Sequence, residues 1–341
     1  GGIMGDRAGN FAVQNSDLVL AVGNRLSIRQ VGYNWKTWAR EAFVIMVDAD
    51  SEELKKPTLH VELPIHADAK DFLSALNRRL GDTVLFPENG WQDTCRNWKA
   101  KYPVVLPKHF EDTRNTNVYA FIKKLSSRLP EGYTTVVGNG SACVVGSHGY
   151  EIKEGQRFII NSAIASMGYD LPAVIGTCYA IGGKEIVCIT GDGSIQMNLQ
   201  ELQTILTNQL PVKIFVINND GYHSIRQTQT NLFADHCKVG IGPESGDLSF
   251  PDLGKLAAAY GYPYVAVNAN DELDDALDKT FATPGAVICE VFVSPEQFFE
   301  PKSATKKLEN GALFSPPLED LAPFLDREEF LANMIIEPIT E

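Results

Sequence analysis

Short apolar runs alternate with amphipathic stretches along most of this chain. The apolar runs at 17–23 and 42–47 predict two buried strands, and the pattern at 67–80 predicts a helix. Residues 81–116 mix glycine, proline, tryptophan and charge without a clear period, so we expect a linker with one short helix near 91–101. The first third of the chain therefore predicts a partial α/β domain followed by a linker.

Beyond residue 116 the alternation of helix and strand becomes regular. Strands are predicted at 134–137, 186–190, 213–217 and 286–292, and helices at 118–129, 250–260 and 326–333. Between the second and third of these strands, Ile195, Leu199, Leu202 and Leu206 recur at helical spacing, which predicts a single amphipathic helix. Helices and strands that alternate in this way predict an α/β fold with a doubly wound parallel sheet.

The same pattern predicts the domain organisation. We expect a partial central α/β domain of the Rossmann-like kind at 1–80, the linker at 81–116, a larger α/β domain at 117–295 and a tail at 296–341. The chain opens Gly1-Gly2-Ile3-Met4 and its first domain has few strands, so we expect that further sequence precedes it.

Composition and charge exclude several classes of function. The 341 residues include 30 Lys and Arg against 43 Asp and Glu, a net charge of −13, which argues against a nucleic-acid partner and against docking on anionic lipid. No apolar stretch approaches the roughly 20 residues that cross a bilayer, so we expect no membrane partner. The six cysteines show no CxxC pair, and Cys143, Cys178, Cys188 and Cys289 lie in apolar surroundings. We therefore expect buried thiols and a cytoplasmic protein.

The residues that suggest chemistry follow two predicted strands. Gly191-Asp192-Gly193-Ser194 comes directly after one strand, and Asn219 comes after the next, 27 residues beyond Asp192. A right-handed crossover makes these strands parallel, so both loops should open at the same edge of the sheet. Carboxylate and amide oxygens suit Mg²⁺, and glycines at a helix start suit a phosphate group. The sequence thus predicts a site for Mg²⁺ and a diphosphate.

This spacing resembles the thiamine diphosphate fingerprint, GDG followed by NN. Residues 191–219 are similar to the pattern of acetolactate synthases and keto-acid decarboxylases, and residues 164–173 resemble the segment that holds the cofactor's aminopyrimidine ring. Residues 6–80 resemble the second half of that family's central domain. On these motifs, which cover most of residues 1–295, the chain is identified as a member of the thiamine diphosphate-dependent enzymes, with 117–295 as the diphosphate- and Mg²⁺-binding domain.

The resemblance implies a role for each matching position. The implied cofactor-binding residues are Asn139, Gly140, Ser141, Ala165, Met167, Gly191, Asp192, Gly193, Ser194, Asn219, Gly221 and Tyr222. Among them, Asp192, the Asn219 side chain and the Gly221 backbone carbonyl would hold Mg²⁺. The Ala165 carbonyl would accept a hydrogen bond from the cofactor's amino group, and Met167 would support its bent conformation.

The implied reaction is decarboxylation of a pyruvate-like 2-keto acid, followed by carboligation to the carbonyl group of an acceptor. A nucleotide-linked keto-sugar is one of the possible acceptors. A decarboxylase that does not ligate, and a non-catalytic subunit that keeps the fold, remain as alternatives. Thr228 stands where the acetolactate synthases of branched-chain amino-acid synthesis carry a tryptophan. His148 and His223 are the candidate acid–base groups. His223 has the better case because it lies four residues past Asn219, and the catalytic residues are otherwise unassigned.

The resemblance also bears on cofactors and partners. FAD binding stays open, because Asp48 and Asp50 lie at a strand end while no acidic pair follows Arg25. In this family a glutamate on a separate pyrimidine-binding domain activates the cofactor, and nothing in this sequence resembles that domain. The chain should therefore not catalyse the reaction alone, and a homodimer or homotetramer is implied.

Overall fold

The computed structural model describes residues 1–83, 90–111, 114–233, 236–307 and 311–339. Small parts of the predicted linker and tail lie outside the described residues. The chain divides into two compact units, the first formed by 1–104 with 300–341 and the second by 105–299. The predicted domain boundaries stay a prediction, because a compact unit of the structure and an evolutionary domain need not have the same limits.

The elements are named here in chain order. The helices are α1 (Arg7–Gln14), α2 (Ile28–Val31), α3 (Ala69–Leu80), α4 (Trp91–Lys101), α5 (Lys108–Glu111), α6 (Val118–Arg128), α7 (Ser141–Gly149), α8 (Asp170–Ala180), α9 (Asp192–Ile195), α10 (Glu201–Thr207), α11 (His223–Leu232), α12 (Leu253–Tyr260), α13 (Leu273–Ala282) and α14 (Arg327–Ala332). The strands are β1 (Leu18–Val22), β2 (Phe43–Asp48), β3 (Leu63–His66), β4 (Thr134–Val137), β5 (Arg157–Ile160), β6 (Ile186–Gly191), β7 (Val212–Asn218), β8 (Tyr264–Val267), β9 (Val287–Phe292), β10 (Lys306–Lys307) and β11 (Leu313–Phe314).

The first unit contains a three-stranded parallel sheet in the order β1-β2-β3. Ala21, Val44 and Met46 on one face of this sheet share a core with Leu318 and Leu321 from the end of the chain. The predictions of β1, β2, α3 and α4 are confirmed. Strand β3 was not predicted, because it has four residues and contains a proline.

The second unit contains six parallel strands in the order β5-β4-β6-β7-β9-β8. On one face, Cys188 and Ile214 share a core cluster with residues of α8, α10 and α12. On the other face, the ring of Phe215 lies 5.6 Å from Phe121 of α6 and 5.9 Å from Phe281 of α13. Helices therefore cover both faces, which confirms the predicted doubly wound fold and explains why β6 and β7 are buried along almost their whole length.

The segment between β6 and β7 differs from the prediction of one helix. It consists of α9, a 3₁₀ turn at Gln196–Asn198 and α10. The Asn198 side chain donates to the carbonyl of Gly168 at 2.7 Å, which holds the tighter turn in place. The prediction was wrong because a short 3₁₀ turn keeps its apolar residues on nearly the same face as an α-helix. Among the described residues, no helix has the length and apolarity needed to span a bilayer.

Candidate functional site

The carboxyl ends of β6 and β7 are adjacent, as the sequence predicts. The strands pair in parallel, with Gly191 opposite Ile217, so the loops that follow them open at one edge of the sheet. The two loops are joined directly, because the Gly221 N–H donates to Asp192 Oδ2 at 2.8 Å. This edge therefore brings the two halves of the predicted motif into contact.

Asp192 is a buried carboxylate at the start of α9. It is 8 % exposed, and its Oδ1 accepts the N–H of Gly193 at 2.8 Å. Burial raises its pKa to about 6, against the lowering effect of the hydrogen bonds from Gly221 and Gly193. A buried carboxylate is much less costly beside a cation, so the local electrostatics favour a metal ion here.

Asn219 provides a side-chain oxygen at the same edge of the sheet. Its Nδ2 donates to Ser141 Oγ at 2.9 Å, whereas its Oδ1 is buried and has no hydrogen-bond partner within the described part of the chain. An unsatisfied buried acceptor costs about 1–3 kcal/mol, which a bound ion would offset. The donor set near Asp192 is thus one carboxylate and one amide oxygen.

These groups line a cleft of about 180 Å³. Its lining residues are Asn139, Gly140, Ser141, Met167, Gly191, Asp192, Gly193, Ser194, Ile217, Asn219, Gly221, Tyr222, His223, Ser224 and Ile225. The structure therefore brings together every predicted cofactor-binding residue except Ala165, which is not among them. Ala165 has a φ of 57°, a left-handed conformation that is rare for alanine, and its predicted role stays a prediction.

Two glycines of the motif permit close packing at the cleft. A Cβ on Gly193 would lie 2.4 Å from the Tyr222 ring. Gly221 has a φ of 133°, and a Cβ there would lie 1.8 Å from the carbonyl oxygen of Ile241. Because neither position has room for a side chain, both turns require glycine.

Ser194 is engaged within the protein. Its hydroxyl donates to Asp170 Oδ2 at 2.8 Å and accepts the N–H of Gly168 at 3.0 Å. The same carboxylate oxygen accepts the hydroxyl of Thr190 at 2.6 Å. The predicted contact of Ser194 with a diphosphate would therefore fall to its backbone. Sequence reasoning missed Asp170, whose signal is an acidic residue at the start of an apolar stretch.

The first asparagine of the NN pair shapes the turn that carries the second. Asn218 Oδ1 accepts the N–H of Asp220 at 2.9 Å, and its Nδ2 donates to the buried carboxylate of Glu290 at 2.7 Å. Tyr264 donates its hydroxyl to the other oxygen of that carboxylate. Sequence reasoning gave Asn218 and Glu290 no role, because their partners come from strands that are distant in the sequence.

His223 lies at the start of α11 and is buried at the cleft. Its Nε2 lies 2.7 Å from the carbonyl oxygen of Gln297 and 2.7 Å from Nε2 of Gln227. Donation from Nε2–H to that carbonyl would set the tautomer of the ring. The acid–base role of His223 stays a prediction.

The described ranges contain no group of three or more His, Cys, Asp or Glu side chains placed to hold a metal ion. The predicted Mg²⁺ site needs no such group, because Mg²⁺ takes few protein oxygens and completes its shell with phosphate and water. The predicted third ligand, the Gly221 carbonyl, accepts the N–H of His223 at 3.1 Å. A carbonyl oxygen has a second lone pair, so this bond leaves it able to contact an ion.

The comparison with known families supports a cofactor site at this cleft. The family model of the thiamine pyrophosphate enzyme C-terminal TPP binding domain matches residues 138–291, and that of the thiamine pyrophosphate enzyme central domain matches residues 1–76. Together the two models cover more than half of the chain. The chain belongs to the thiamine pyrophosphate enzyme family. Its 138–291 match contains the loop that follows β4 and the carboxyl ends of β6 and β7, where the cleft lies.

Members with an acetolactate synthase name are similar to this chain. The acetolactate synthase large subunit of Cyanidium caldarium is 31% identical over 310 residues, which are 90% of this chain and 51% of that protein. The acetolactate synthase isozyme 2 large subunit of Escherichia coli (strain K12) is 30% identical over 300 residues, 86% of this chain and 50% of that protein. The chain therefore spans about half the length of the curated relatives it matches.

Proposed function

We propose that the larger unit binds thiamine diphosphate through Mg²⁺ and serves the decarboxylation of a 2-keto acid. The observation that carries this proposal is that the buried Asp192 carboxylate and the Asn219 Oδ1, which has no hydrogen-bond partner among the described residues, line one cleft. A hard divalent cation suits both groups, because it offsets the charge of the first and satisfies the second. The family membership supports the choice of cofactor.

The residues around the cleft fit a diphosphate held by such an ion. Asp192, the Asn219 amide oxygen and the Gly221 carbonyl would hold Mg²⁺. Ser141 accepts a hydrogen bond from Asn219, so its own hydroxyl proton can be donated to a phosphate oxygen. Gly140 precedes the nine-residue helix α7, whose first N–H groups form an anion-binding end beside it.

When bound, thiamine diphosphate supplies the electron sink for loss of CO₂ from the keto acid. This chain would contribute binding and orientation of the diphosphate and of the ring above Met167. We propose that the activating glutamate lies outside the sequence described here, in a homodimer or homotetramer in the cytoplasm, and that carboligation to a second carbonyl follows decarboxylation. A nucleotide-linked keto-sugar is one acceptor to test.

We leave FAD outside this proposal. The Arg25 guanidinium forms an ion pair with Glu53, and the segment after it lacks the acidic pair of the FAD-binding subgroup. Asp48, at the end of β2, keeps one buried oxygen without a partner among the described residues, and its other oxygen accepts the N–H of Asp50. That single acceptor does not select FAD over another polar ligand.

Calorimetric titration of the protein with thiamine diphosphate, at saturating and at zero Mg²⁺, tests the proposal. We expect Mg²⁺-dependent binding by the wild type and its loss in Asp192→Ala. The matched control is Asp271→Ala, which removes an exposed carboxylate of the same unit. Equal binding by the wild type and Asp192→Ala would contradict the site. Product analysis with pyruvate then separates acetaldehyde, from decarboxylation alone, from a ligated product.

A further inference from the structure

Arg226 is a buried cation behind the turn that carries Asn219. It lies on α11, is 6 % exposed, and uses all three nitrogens of its guanidinium. Nη1 donates to the carbonyl oxygen of Asn219 at 3.0 Å, and Nη2 donates to that of Asp220 at 2.6 Å. Nε donates to Glu244 at 2.9 Å. One planar group therefore holds two consecutive backbone carbonyls.

The turn itself has a conformation that needs support. Asp220 has a φ of 57° and Gly221 a φ of 133°, so two successive residues occupy the left-handed half of the backbone map. For aspartate this conformation is less favourable than the right-handed one. Such a turn persists only where the surroundings hold it, and its carbonyls cannot join the ladder of a helix or strand.

The peptide between Asp220 and Gly221 is held at both ends. Its oxygen accepts from Arg226, and its N–H donates to Asp192 Oδ2 at 2.8 Å. A peptide group is rigid and planar, so fixing its oxygen also fixes the direction of its N–H. Arg226 thereby acts on the Asp192 carboxylate through this peptide group, and on the backbone of Asn219 through the preceding one.

The far side of the turn leaves little freedom for rearrangement. The Tyr222 N–H donates to the carbonyl of Ile241 at 2.7 Å. A Cβ on Gly242 would lie 2.4 Å from the carbonyl oxygen of Asp220. The backbone of 241–242 thus packs directly on the turn whose carbonyl oxygens accept from the guanidinium.

We propose that Arg226 is a positioning residue for the metal site, which fixes the turn so that Asn219 and Gly221 present their oxygens beside Asp192. This inference rests on the proposed function, because it concerns the same ion. Arginine suits the task, since its fork donates along two fixed directions, whereas a lysine ammonium is a point donor on a flexible stem. The ion pair with the half-exposed Glu244 holds the guanidinium in place and contributes little to stability by itself.

The test is Arg226→Lys in the protein that carries this full chain. Mg²⁺ is titrated at saturating thiamine diphosphate by calorimetry, and thermal unfolding is followed without ligand and with both. Loss of a group that orients a metal ligand typically weakens metal binding by about 10–100-fold, and we expect a loss in that range. We also expect a smaller rise of the unfolding temperature on adding both ligands. The matched control is Arg128→Lys, which alters a guanidinium paired with Asp274 and Asp278 elsewhere in the same unit.

A structural role alone gives a different result. Mg²⁺ affinity within about twofold of the wild type, or an unchanged ligand-induced rise of the unfolding temperature, would overturn the inference. If Arg226→Lys does not fold, Arg226→Gln, which keeps one donor amide, is measured instead with the same criteria. Asp192→Ala separates the two proposals. If Asp192→Ala binds Mg²⁺ and the cofactor as the wild type does, the proposed function fails. If Asp192→Ala does not bind them while Arg226→Lys binds normally, only the role of Arg226 is overturned.

Discussion

The amide nitrogen of Asn219 and the hydroxyl of Ser141 lie 2.9 Å apart, although 78 residues separate them in the sequence. This hydrogen bond links the loop after β7 to the start of α7, the helix that follows β4. It also engages the nitrogen end of the Asn219 amide and leaves the oxygen end without a partner among the described residues. Two loops of the sheet edge are thus joined beside one buried oxygen.

That relationship predicts that Asn219→Ala has little effect on stability and a large effect on binding. The variant loses the bond to Ser141, worth about 1 kcal/mol, and removes an unsatisfied buried acceptor whose cost is similar. We expect the free energy of unfolding of the ligand-free protein to change by no more than about 1 kcal/mol, with Mg²⁺-dependent cofactor binding lost. Chemical denaturation and calorimetry measure the two quantities. A large loss of ligand-free stability would contradict this account of the amide.

The raised pKa of Asp192 predicts a pH dependence with a definite sign. The carboxyl titrates at 3.8 when unperturbed and at about 6 in the folded protein, where burial opposes its charge. The folded state therefore binds the proton more tightly, and the group's contribution to stability falls as pH rises from about 4 through 6. We expect the ligand-free wild type to lose up to roughly 3 kcal/mol over this range relative to Asp192→Asn. Denaturation with a chelator present measures the difference.

Mg²⁺ should show the reverse trend. The ion needs the ionised carboxylate, so protons compete with it, and apparent affinity should rise about tenfold per pH unit up to about pH 6 and then level off. Titrations at saturating thiamine diphosphate across this range check the sign. An affinity that does not change between pH 5 and 7 would show that Asp192 is not the group that binds the ion.

Two glycines of one motif should respond differently to alanine. A Cβ at Gly193 would lie 2.4 Å from the Tyr222 ring, whereas a Cβ at Gly191 would meet only the Ile217 carbonyl, at 3.8 Å. We expect Gly193→Ala to destabilise the ligand-free protein by about 1–3 kcal/mol through displacement of that ring. Gly191→Ala, the matched control, should stay within about 0.5 kcal/mol. Equal costs would mean that the tyrosine ring yields without strain.

The buried Asp170 should matter to the cleft that it does not line. In Asp170 one carboxylate oxygen accepts the hydroxyls of Thr190 and Ser194, and the other accepts the N–H of Leu171 at 2.9 Å. Asp170→Asn keeps only one acceptor end, so its NH₂ group must face a donor on one side. We expect the free energy of unfolding to fall by about 2 kcal/mol, since a hydrogen bond to a charged group contributes about that much to stability. Because Ser194 also accepts the Gly168 N–H, cofactor binding should weaken as well. Asp247→Asn, at an exposed position, serves as the control.

The sequence by itself determined β1, β2, β4, β6, β7 and β9, several of the helices and the family, whereas β3, β5 and β8 were not predicted. Apolar runs that end just before the GDG and NN motifs mark parallel strands, and a crossover of that length usually places them side by side. The residues whose chemistry is intrinsic to their type, Asp192 and Asn219 among them, were therefore predicted with their place in the fold.

Only the tertiary structure decided which residues hold that edge in shape. Asp170, Glu290 and Arg226 act through partners on other strands, on distant loops or on backbone carbonyls, and no periodic pattern marks such contacts. The break in the helix after β6 was missed for a related reason, since α and 3₁₀ turns place apolar side chains on nearly the same face. Hydrophobic spacing fixes which face of an element is buried. The direction of a peptide group or a carboxylate depends on what packs against it, and that is known only when the chain has folded.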